Sequence, residues 1–406
     1  MLKNLCVFWG RENDGNVAPL FAIMVVPILL VVAFAVDSSR EVSASRHLQA
    51  AIDAASLAGA RALEDASLSD QEVQTIALNA LAANLSTNHS DAVCTNASVA
   101  VNRTIGTVSV DANCTIGALI GGSLTSANMS VTNAATAKAN VTKLDLAMML
   151  DVSGSMDGAK IDDLKSAAIT AAKTLVTPQT GDRVRVSFVS YSTSVNAGAY
   201  GNSALGRAAN DDVDGDGLDK VCVSERIGSA AWQDDEPELG KWVGDDANAC
   251  PDSSLLPLTS DIGVFETEIN KLTADGWTAG HLGVAWSWYL ISPNWDSIWP
   301  PDSAPRSYTE PNTVKAVILM TDGEFNREYV SGQGDSDEQS LKLCGEMRDQ
   351  GVLVYSVAFQ APTAARATLR DCAGEDSRFF DATNGQQLLD AYAAIASQLS
   401  ALTLVD

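Results

Sequence analysis

The sequence is poor in basic residues. Its 406 residues include 26 lysines and arginines against 51 aspartates and glutamates, which gives a net charge of −25 at pH 7. Nucleic acids bind basic surfaces because their phosphates must be neutralised, so a nucleic-acid partner is excluded. Docking on an anionic membrane surface is disfavoured for the same reason. A strongly acidic surface instead keeps a protein soluble.

The sequence also lacks the short motifs of several enzyme classes. It has no His-Glu-x-x-His zinc motif, no Gly-x-Ser-x-Gly nucleophile elbow and no Cys-x-x-Cys pair. Gly240-Lys241 is followed by tryptophan, so the phosphate-loop pattern fails. His47 and His89 have no partners in sequence, and His281 stands at a predicted helix start. We therefore predict a protein that is not an enzyme.

Oxygen-bearing side chains follow two apolar segments and one loop. The runs Leu144–Leu150 and Val314–Met320 predict buried strands of a parallel sheet. A loop with flanking glycines, which opens a helix, supplies a further hydroxyl. The five side chains are Asp151, Ser153, Ser155, Thr278 and Asp322. Oxygen ligands from loops at one edge of an open sheet suit a hard cation, so the sequence predicts a metal site.

The chemistry of these side chains favours binding over hydrolysis. Mg²⁺ prefers about six oxygen ligands, and Ca²⁺ or Mn²⁺ accepts similar donors. The three hydroxyls are neutral, so a bound cation would keep much of its charge. Its open coordination position would then attract a carboxylate from another molecule. No histidine or glutamate that would serve as a general base lies within these motifs.

The pattern resembles the metal-ion-dependent adhesion site (MIDAS) of von Willebrand factor A (vWA) domains. That signature is Asp-x-Ser-x-Ser, a distant threonine, and an aspartate that ends a later strand; all five positions are filled here. The resemblance covers residues 144–404 and implies an α/β domain with a doubly wound parallel sheet. It also implies Mg²⁺-dependent binding of a protein or surface ligand that presents a carboxylate. The alternative for Asp151-x-Ser-x-Ser is a turn that caps a helix.

A large acidic insertion, residues 196–257, separates the second predicted strand of this domain from the next helix. It contains Asp212-x-Asp214-x-Asp216-Gly, the spacing of the first half of a calcium-binding loop. The twelfth position of such a loop is Val223 here instead of glutamate. Two hypotheses stay open: a second site that binds Ca²⁺, or a solvated acidic loop.

Residues 17–36 carry no charge. Twenty helical residues at about 1.5 Å each are long enough to cross a bilayer, so we predict a single transmembrane helix. Lys3 and Arg11 precede it, which places residues 1–16 in the cytoplasm. A signal peptide cleaved at Ala33-Phe34-Ala35 is the alternative. The apolar segment runs without a break into a helical pattern, which favours a retained anchor.

The segment after the apolar stretch predicts a helix and then short strands. Apolar residues recur at helical spacing among alanines and serines as far as Leu63. From Cys94 to Asn140, valine alternates with threonine, serine and asparagine as in antiparallel strands. A membrane helix that continues and packs on a small sheet, over residues 37–140, is the layout of a pilin.

The N-terminal region resembles the TadG-like proteins of the tight adherence (Flp) pilus-assembly system. The resemblance rests on Gly15-Asn-Val-Ala-Pro-Leu-Phe-Ala-Ile23 and on the Ala-rich stretch from Leu48 to Ala60. It implies a single-pass bacterial inner-membrane protein with an exported C-terminal region, in the periplasm or at the cell surface. Other pilus-assembly components would be its partners. Related pseudopilins have glutamate five residues after the processing glycine; Leu20 stands there, so cleavage is not expected.

Cysteines and tryptophans add two further predictions. Six of the seven cysteines follow the apolar stretch, an even count that favours disulfides in an oxidising compartment. Fifteen pairings are open, of which pairing of neighbours (94/114, 222/250, 344/372) is one, and six buried thiols are the alternative. Trp277, Trp295 and Trp299 lie near Thr278 in sequence and would be exposed contacts for a ligand.

These observations give one leading hypothesis and two alternatives. The leading hypothesis is a membrane-anchored protein of pilus assembly or adhesion whose vWA domain captures its ligand through a bound cation. The first alternative is a pseudopilin-like structural subunit in which the vWA domain is a spacer that needs no metal. The second is a metal-dependent hydrolase.

Overall fold

The computed structural model describes residues 17–87, 93–117, 128–139, 141–208, 211 and 220–403. These residues form two compact units. The first contains the described residues of Met1–Leu63 and Leu68–Ala139, and the second those of Glu64–Ser67 and Asn140–Asp406. The predicted cytoplasmic segment 1–16 lies outside the described residues.

The first unit is a helix pair on a small antiparallel sheet. Its elements are α1 (Val17–Leu63), α2 (Asp70–Thr87), β1 (Val93–Asn102), β2 (Thr107–Gly117) and β3 (Asn128–Lys138). The strands follow one another in the order β1-β2-β3, and α1 packs on α2, β2 and β3. Packing is close at Gly59, where an added Cβ would lie 2.7 Å from Val108 Cγ1. The predicted helix and strands are thus present, together with α2, which the sequence analysis did not predict.

The N-terminal part of α1 is apolar and largely exposed. From Phe21 to Val36 most of its large apolar side chains are exposed, whereas Leu48, Ile52 and Ala55 further along are buried in the first unit. Within the described residues, α1 holds one stretch that is long and apolar enough to cross a membrane. The helix is therefore consistent with a membrane anchor.

The second unit is an α/β domain. Its strands are β4 (Lys143–Asp151), β5 (Val184–Tyr191), β6 (Val195–Asn196), β7 (Cys222–Val223), β8 (Leu256–Thr259), β9 (Thr313–Thr321), β10 (Leu353–Phe359) and β11 (Phe379–Ala382). Its helices are α3 (Ala159–Leu175), α4 (Gly201–Ala204), α5 (Ile262–Asn270), α6 (Gly280–Tyr289), α7 (Ser336–Asp349), α8 (Thr363–Ala373) and α9 (Gly385–Thr403). Strands that alternate with helices build a sheet covered on both faces.

The strands form one twisted sheet with helices on each face. Its order is β11-β10-β9-β4-β5-β6-β7, with β8 also paired to β5. The five strands from β11 to β5 are parallel to one another, β6 and β8 pair antiparallel with β5, and β7 pairs antiparallel with β6. Leu146 and Met148 pack with α3, α5 and α9, whereas Ala147 and Met149 pack with α6 and its neighbours on the other face. This is the doubly wound parallel sheet that the sequence predicted.

The acidic insertion contributes to the sheet. It was predicted as an interruption between a strand and a helix, but the structure places β6, β7 and β8 within or beside it. These strands have two to four residues each, which is too short for a periodicity of two to stand out in sequence. The insertion is therefore partly built into the domain.

All three disulfides between neighbouring cysteines are present. Cys94–Cys114 joins β1 to β2. Cys222–Cys250 closes a loop of the acidic insertion, and Cys344–Cys372 joins α7 to α8 in the core. The pairing of neighbours, one of fifteen open alternatives, is thus confirmed.

A buried group of charges lies near the start of β4, at the end of the sheet opposite Asp151. Asp145 is fully buried and contacts three cations, Arg185 at 2.9 Å, Arg306 at 2.6 Å and Lys315 at 3.2 Å. Burial acts to raise the pKa of Asp145, but the three positive charges outweigh it and lower the pKa. Burial also lowers the pKa of Lys315 to about 8, although Asp145 opposes this shift.

The lowered pKa of Lys315 predicts a stability that rises at alkaline pH. Between pH 8 and the unfolded-state pKa of about 10.4, the unfolded chain holds a proton on Lys315 that the folded chain has released. The unfolded state then binds more protons, so the free energy of unfolding increases with pH. Urea unfolding followed by fluorescence at pH 7.5 and 9.5 should show this gain for the wild type relative to Lys315→Met. An equal pH dependence of both proteins would contradict it.

Candidate metal centre

The five predicted metal ligands lie at the carboxyl edge of the large sheet. Asp151 is the last residue of β4, and Ser153 and Ser155 lie in the turn that follows. Asp322 directly follows β9, and Thr278 lies two residues before α6. The order of strands reverses at β4, which has β5 on one side and β9 on the other. Ligands of doubly wound sheets bind in the crevice at such a position.

Side chains from the three ligand-bearing segments, those with Ser155, Thr278 and Asp322, border one small space. Ser155 Oγ donates a hydrogen bond of 2.6 Å to Asp322 Oδ1 and lies 3.1 Å from Ser153 Oγ. A methyl group built on Gly323 would lie 3.7 Å from Ser155 Oγ and 3.9 Å from Thr278 Oγ1. The fold thus brings together Ser155 and Asp322, which are 167 residues apart in sequence, with Thr278 from a third segment.

Asp151 is fully buried beneath this space and is held by three donors. The backbone N–H of Ser153 donates to Oδ1 over 2.8 Å. The hydroxyls of Thr321 and Tyr191 donate to Oδ2 over 2.6 and 3.2 Å. Burial raises the pKa of Asp151, and the charge of Asp322 adds to the rise. A cation between the two carboxylates would offset their repulsion.

The loop that carries Thr278 is fixed through its backbone. The N–H of Gly154 donates to the carbonyl of Gly276 over 2.9 Å. Asn326 accepts the N–H of Thr278 on its side chain over 3.0 Å and donates its own N–H to the Thr278 carbonyl over 2.9 Å. Thr278 is 4% exposed, yet among the described residues its Oγ1 has no hydrogen-bond partner. A hydroxyl without a protein partner is available as a cation ligand.

Lys160 contacts the site and was not predicted. It lies in the first turn of α3, and its Nζ is 2.6 Å from Asp322 Oδ2. Asp322 thus bonds to Ser155 through one oxygen and to an ammonium through the other. The sequence did carry a signal for Lys160, because the first turn of a helix that follows Asp-x-Ser-x-Ser starts beside those side chains. Asn326 and Tyr191, which position Thr278 and Asp151, had no such signal.

The donor set fits a hard divalent cation. All five side chains offer oxygen, as Mg²⁺, Mn²⁺ and Ca²⁺ require. Only two of the five are carboxylates, and accordingly the described residues contain no group of three or more His, Cys, Asp or Glu side chains placed to hold a metal. That finding concerns acidic, histidine and cysteine side chains in the described ranges and does not bear on a site rich in hydroxyls. The three hydroxyls and two carboxylates are the residues that would hold such an ion.

The three tryptophans predicted as ligand contacts differ in their environments. Trp277 is 64% exposed beside the candidate site, and its backbone N–H donates to Thr193 Oγ1 over 3.0 Å. Trp295 and Trp299 are 0% and 4% exposed, so the prediction that they contact a ligand is wrong. Trp295 stacks on Tyr289 with ring centroids 3.9 Å apart and belongs to the core.

The predicted calcium loop lies outside the described residues. Asp212, Asp214 and Asp216 all fall within 212–219, so their arrangement is not described. A second site for Ca²⁺ at these residues stays a prediction from sequence.

The N-terminal segment matches a family model. Residues 15–62 match the model described as putative Flp pilus-assembly TadE/G-like. The resemblance predicted from the N-terminal motifs is thereby confirmed for this segment. No curated protein matches the sequence.

Several solved structures are similar to this chain at low identity. The pilus adhesin SpaC from Lactobacillus rhamnosus GG is 12% identical over 76% of this chain and 34% of its own, with a TM-score of 0.41. The vWF domain of the type V pili tip protein Mfa5 from Porphyromonas gingivalis is 12% identical over 64% of this chain and 95% of its own, with a TM-score of 0.40. Proximal thread matrix protein 1 from the mussel byssus, with a zinc-occupied MIDAS motif, is 12% identical over 63% and 47%, with a TM-score of 0.35. At these scores the likenesses carry no argument about function.

Proposed function

We propose that this protein is a membrane-anchored component of a tight-adherence-type pilus system that acts in assembly or adhesion. Its second unit captures a protein or surface ligand through a divalent cation, Mg²⁺ in the first place. One observation carries the proposal: five oxygen-bearing side chains from three distant segments meet at the carboxyl edge of the sheet. The family match of residues 15–62 and the exposed apolar part of α1 support the anchor and the pilus system.

Each member of the site has a distinct task. Ser153, Ser155 and Thr278 supply neutral oxygens, and Asp151 and Asp322 supply carboxylates, directly or through bound water. The bound cation would offer one open position to an acidic oxygen of the ligand. Because most donors are neutral, little of the positive charge is cancelled, which strengthens the attraction to a carboxylate. Thr321 and Tyr191 keep the carboxylate of Asp151 oriented.

Trp277 extends the binding surface beside the cation. It is the large apolar side chain that stands exposed next to Thr278. Exposed tryptophans at a site of recognition supply apolar contact area at a low cost in conformational entropy, and they are common interface hot spots. We assign it the role of contacting the ligand segment that flanks the acidic group.

The anchor and the disulfides support an exported location for both units. α1 would place residues 17–36 in the bacterial inner membrane and the rest outside the cytoplasm. Three disulfides follow the anchor, and structural disulfides persist in oxidising compartments. The ligand would then be another pilus component or a molecule at the cell surface.

Calorimetry on the full-length protein in detergent tests the proposal. Titration with Mg²⁺ and with Mn²⁺ should show binding of a cation, and isolated pili should be captured in Mg²⁺ but not in a chelator. Absence of cation binding would overturn the metal-dependent role. Equal capture in Mg²⁺ and chelator would overturn it as well, even if a cation binds.

One observation favours a second candidate function, a structural spacer that needs no metal. The ammonium of Lys160 lies 2.6 Å from Asp322 Oδ2 and already balances the charge of that carboxylate. If this ion pair is the working state, the domain holds its shape without a cation. The two candidates differ in whether Lys160 opposes a cation or replaces it.

Replacing Lys160 with methionine should raise the affinity for Mn²⁺ about tenfold or more, because an ammonium at this distance repels a divalent cation and competes for Asp322 Oδ2. Methionine keeps the length and apolar stem of the side chain. Calorimetry against the wild type measures the change. Lys165→Met, which removes a lysine further along α3, is the control and should leave the affinity unchanged. A weaker or unaltered affinity in Lys160→Met would favour the spacer.

A further inference from the structure

The acidic insertion reaches the loop that follows β9. Glu225 lies two residues after β7 and is 5% exposed. Its Oε1 accepts two backbone N–H groups, those of Tyr329 and Val330, each over 2.7 Å. A carboxylate that accepts two adjacent backbone donors fixes the path of the loop that carries them.

The loop held by Glu225 is the one that holds Thr278. Four residues after Asp322, Asn326 exchanges the two hydrogen bonds with the backbone of Thr278 described above. Phe325 packs so closely on Gly280 that an added Cβ there would lie 2.1 Å from its ring. Residues 323–330, which we call the clamp loop, therefore connect Glu225 to the start of α6.

The clamp loop has a second connection to the metal site. The hydroxyl of Tyr329 donates to the Thr193 carbonyl over 2.8 Å. The side-chain hydroxyl oxygen of Thr193 accepts a hydrogen bond from the backbone N–H of Trp277 over 3.0 Å. The residue directly before Thr278 is thus also held through Tyr329.

Glu225 also contacts α6 directly. Its Oε2 lies 3.5 Å from Nε2 of His281, whose Nδ1 is 2.8 Å from Ser336 Oγ at the start of α7. His281 is 1% exposed, and neither Nε2 nor Oε2 has a hydrogen-bond partner in the described part of the chain. Burial acts to raise the pKa of Glu225, but the proximity and charge of His281 and the two backbone donors lower it to about 2. Glu225 is therefore an anion held by the two backbone donors, with His281 beside it.

We propose that Glu225 is a positioning residue for the metal site: the acidic insertion supplies a buried carboxylate that locks the clamp loop and α6, and so fixes Thr278. This inference rests on the proposed function of that site. It gives the insertion a role within the domain, as the element that holds two of the three ligand-bearing segments in position. By linkage, a cation on Thr278 and Asp322 stabilises the contacts of the insertion in return.

Three variants of the full-length protein in detergent test the proposal. Glu225→Met removes the acceptor and should weaken Mn²⁺ binding about 10- to 100-fold, the usual effect of losing a group that orients a metal ligand. Glu225→Gln keeps an amide oxygen for the two backbone donors and should lose less. Glu236→Met, an exposed glutamate of the same insertion, is the control and should bind like the wild type.

Hydrogen exchange separates positioning from general loss of structure. In the wild type, Mg²⁺ should slow amide exchange at residues 221–245 of the insertion and at the clamp loop. In Glu225→Met, the ion should no longer slow exchange at 221–245. If Glu225→Met fails to fold, Glu225→Gln carries the test, because it keeps the shape of the side chain but removes its charge, and it should weaken Mn²⁺ binding severalfold.

These measurements distinguish failure of the proposed function from failure of the role of Glu225. A wild type that binds no cation overturns the proposed function and this inference with it. A wild type that binds a cation, together with Glu225→Met or, where that does not fold, Glu225→Gln of equal affinity, overturns only the role of Glu225.

Discussion

Replacing Asp322 with asparagine is expected to abolish cation binding at physiological concentrations of Mg²⁺. The substitution keeps the shape of the side chain but removes one of only two carboxylates in the donor set. Loss of a group that merely orients a ligand already costs about 10- to 100-fold in metal affinity, so loss of a charged ligand should cost at least about 100-fold. Calorimetric titration with Mg²⁺ and Mn²⁺ measures it, and capture of pili in Mg²⁺ should fall to the level seen in chelator.

Two further variants sharpen this experiment. Thr278→Val is nearly isosteric and removes a hydroxyl that has no hydrogen-bond partner among the described residues, so the fold should tolerate it while cation affinity falls. Asp157→Asn removes an exposed carboxylate two residues after Ser155 and should bind cations like the wild type. Undiminished binding in Asp322→Asn and Thr278→Val would show that the five side chains do not hold the ion.

Replacing Asp145 with asparagine is expected to cause a large loss of stability in the second unit. Asp145 is the shared anion of Arg185, Arg306 and Lys315. Arg185 on β5 and Lys315 on β9 are almost fully buried. Removing one partner of a buried ion pair costs about 3–5 kcal/mol, because the remaining charge is left uncompensated. The melting temperature should fall by roughly 6–20 °C for a domain of this size.

Intrinsic fluorescence suits the measurement of this loss. Seven of the eight tryptophans lie between Trp232 and Trp299, inside the second unit, so their emission reports on its unfolding. Asp349→Asn, at the exposed end of α7, removes the same charge from the surface and should change the melting temperature little. A melting temperature of Asp145→Asn within 2 °C of that control would contradict the role assigned to the buried carboxylate.

Much of the second unit could be predicted because its buried strands contain continuous apolar runs. Leu146–Leu150 and Ala316–Met320 are apolar and buried on both faces, so they lack polar alternation and stand out from the rest of the chain, with the charged Asp145 and Lys315 just before them. The candidate metal residues follow such runs or precede a helix. Their positions at one sheet edge therefore follow from the direction of parallel strands.

Other elements were not predicted. One has a clear signal in the sequence, whereas the signals of the others are weak. α2 begins at a capping box, in which Ser69 and Glu72 bond to each other's backbone N–H, and this pattern is visible in sequence. β6 and β7 have two residues each and exist only because they add to an edge of the sheet. Trp295 and Trp299 lie among prolines, which suggested an exposed loop, yet they pack in the core against Trp286 and Tyr289.

The sequence by itself determined the type of fold, the five candidate ligands at the sheet edge and the resemblance of the N-terminal segment to a pilus-assembly family, because these depend on residue type and on spacing along the chain. Only the tertiary structure decided which groups surround the ligands. The contacts are those of Lys160 with Asp322, of Tyr191 with Asp151, and of Glu225 with the clamp loop. In each, packing brings together two separate segments of the chain. Contacts of this kind depend on distances in the folded chain, which local patterns of sequence do not encode.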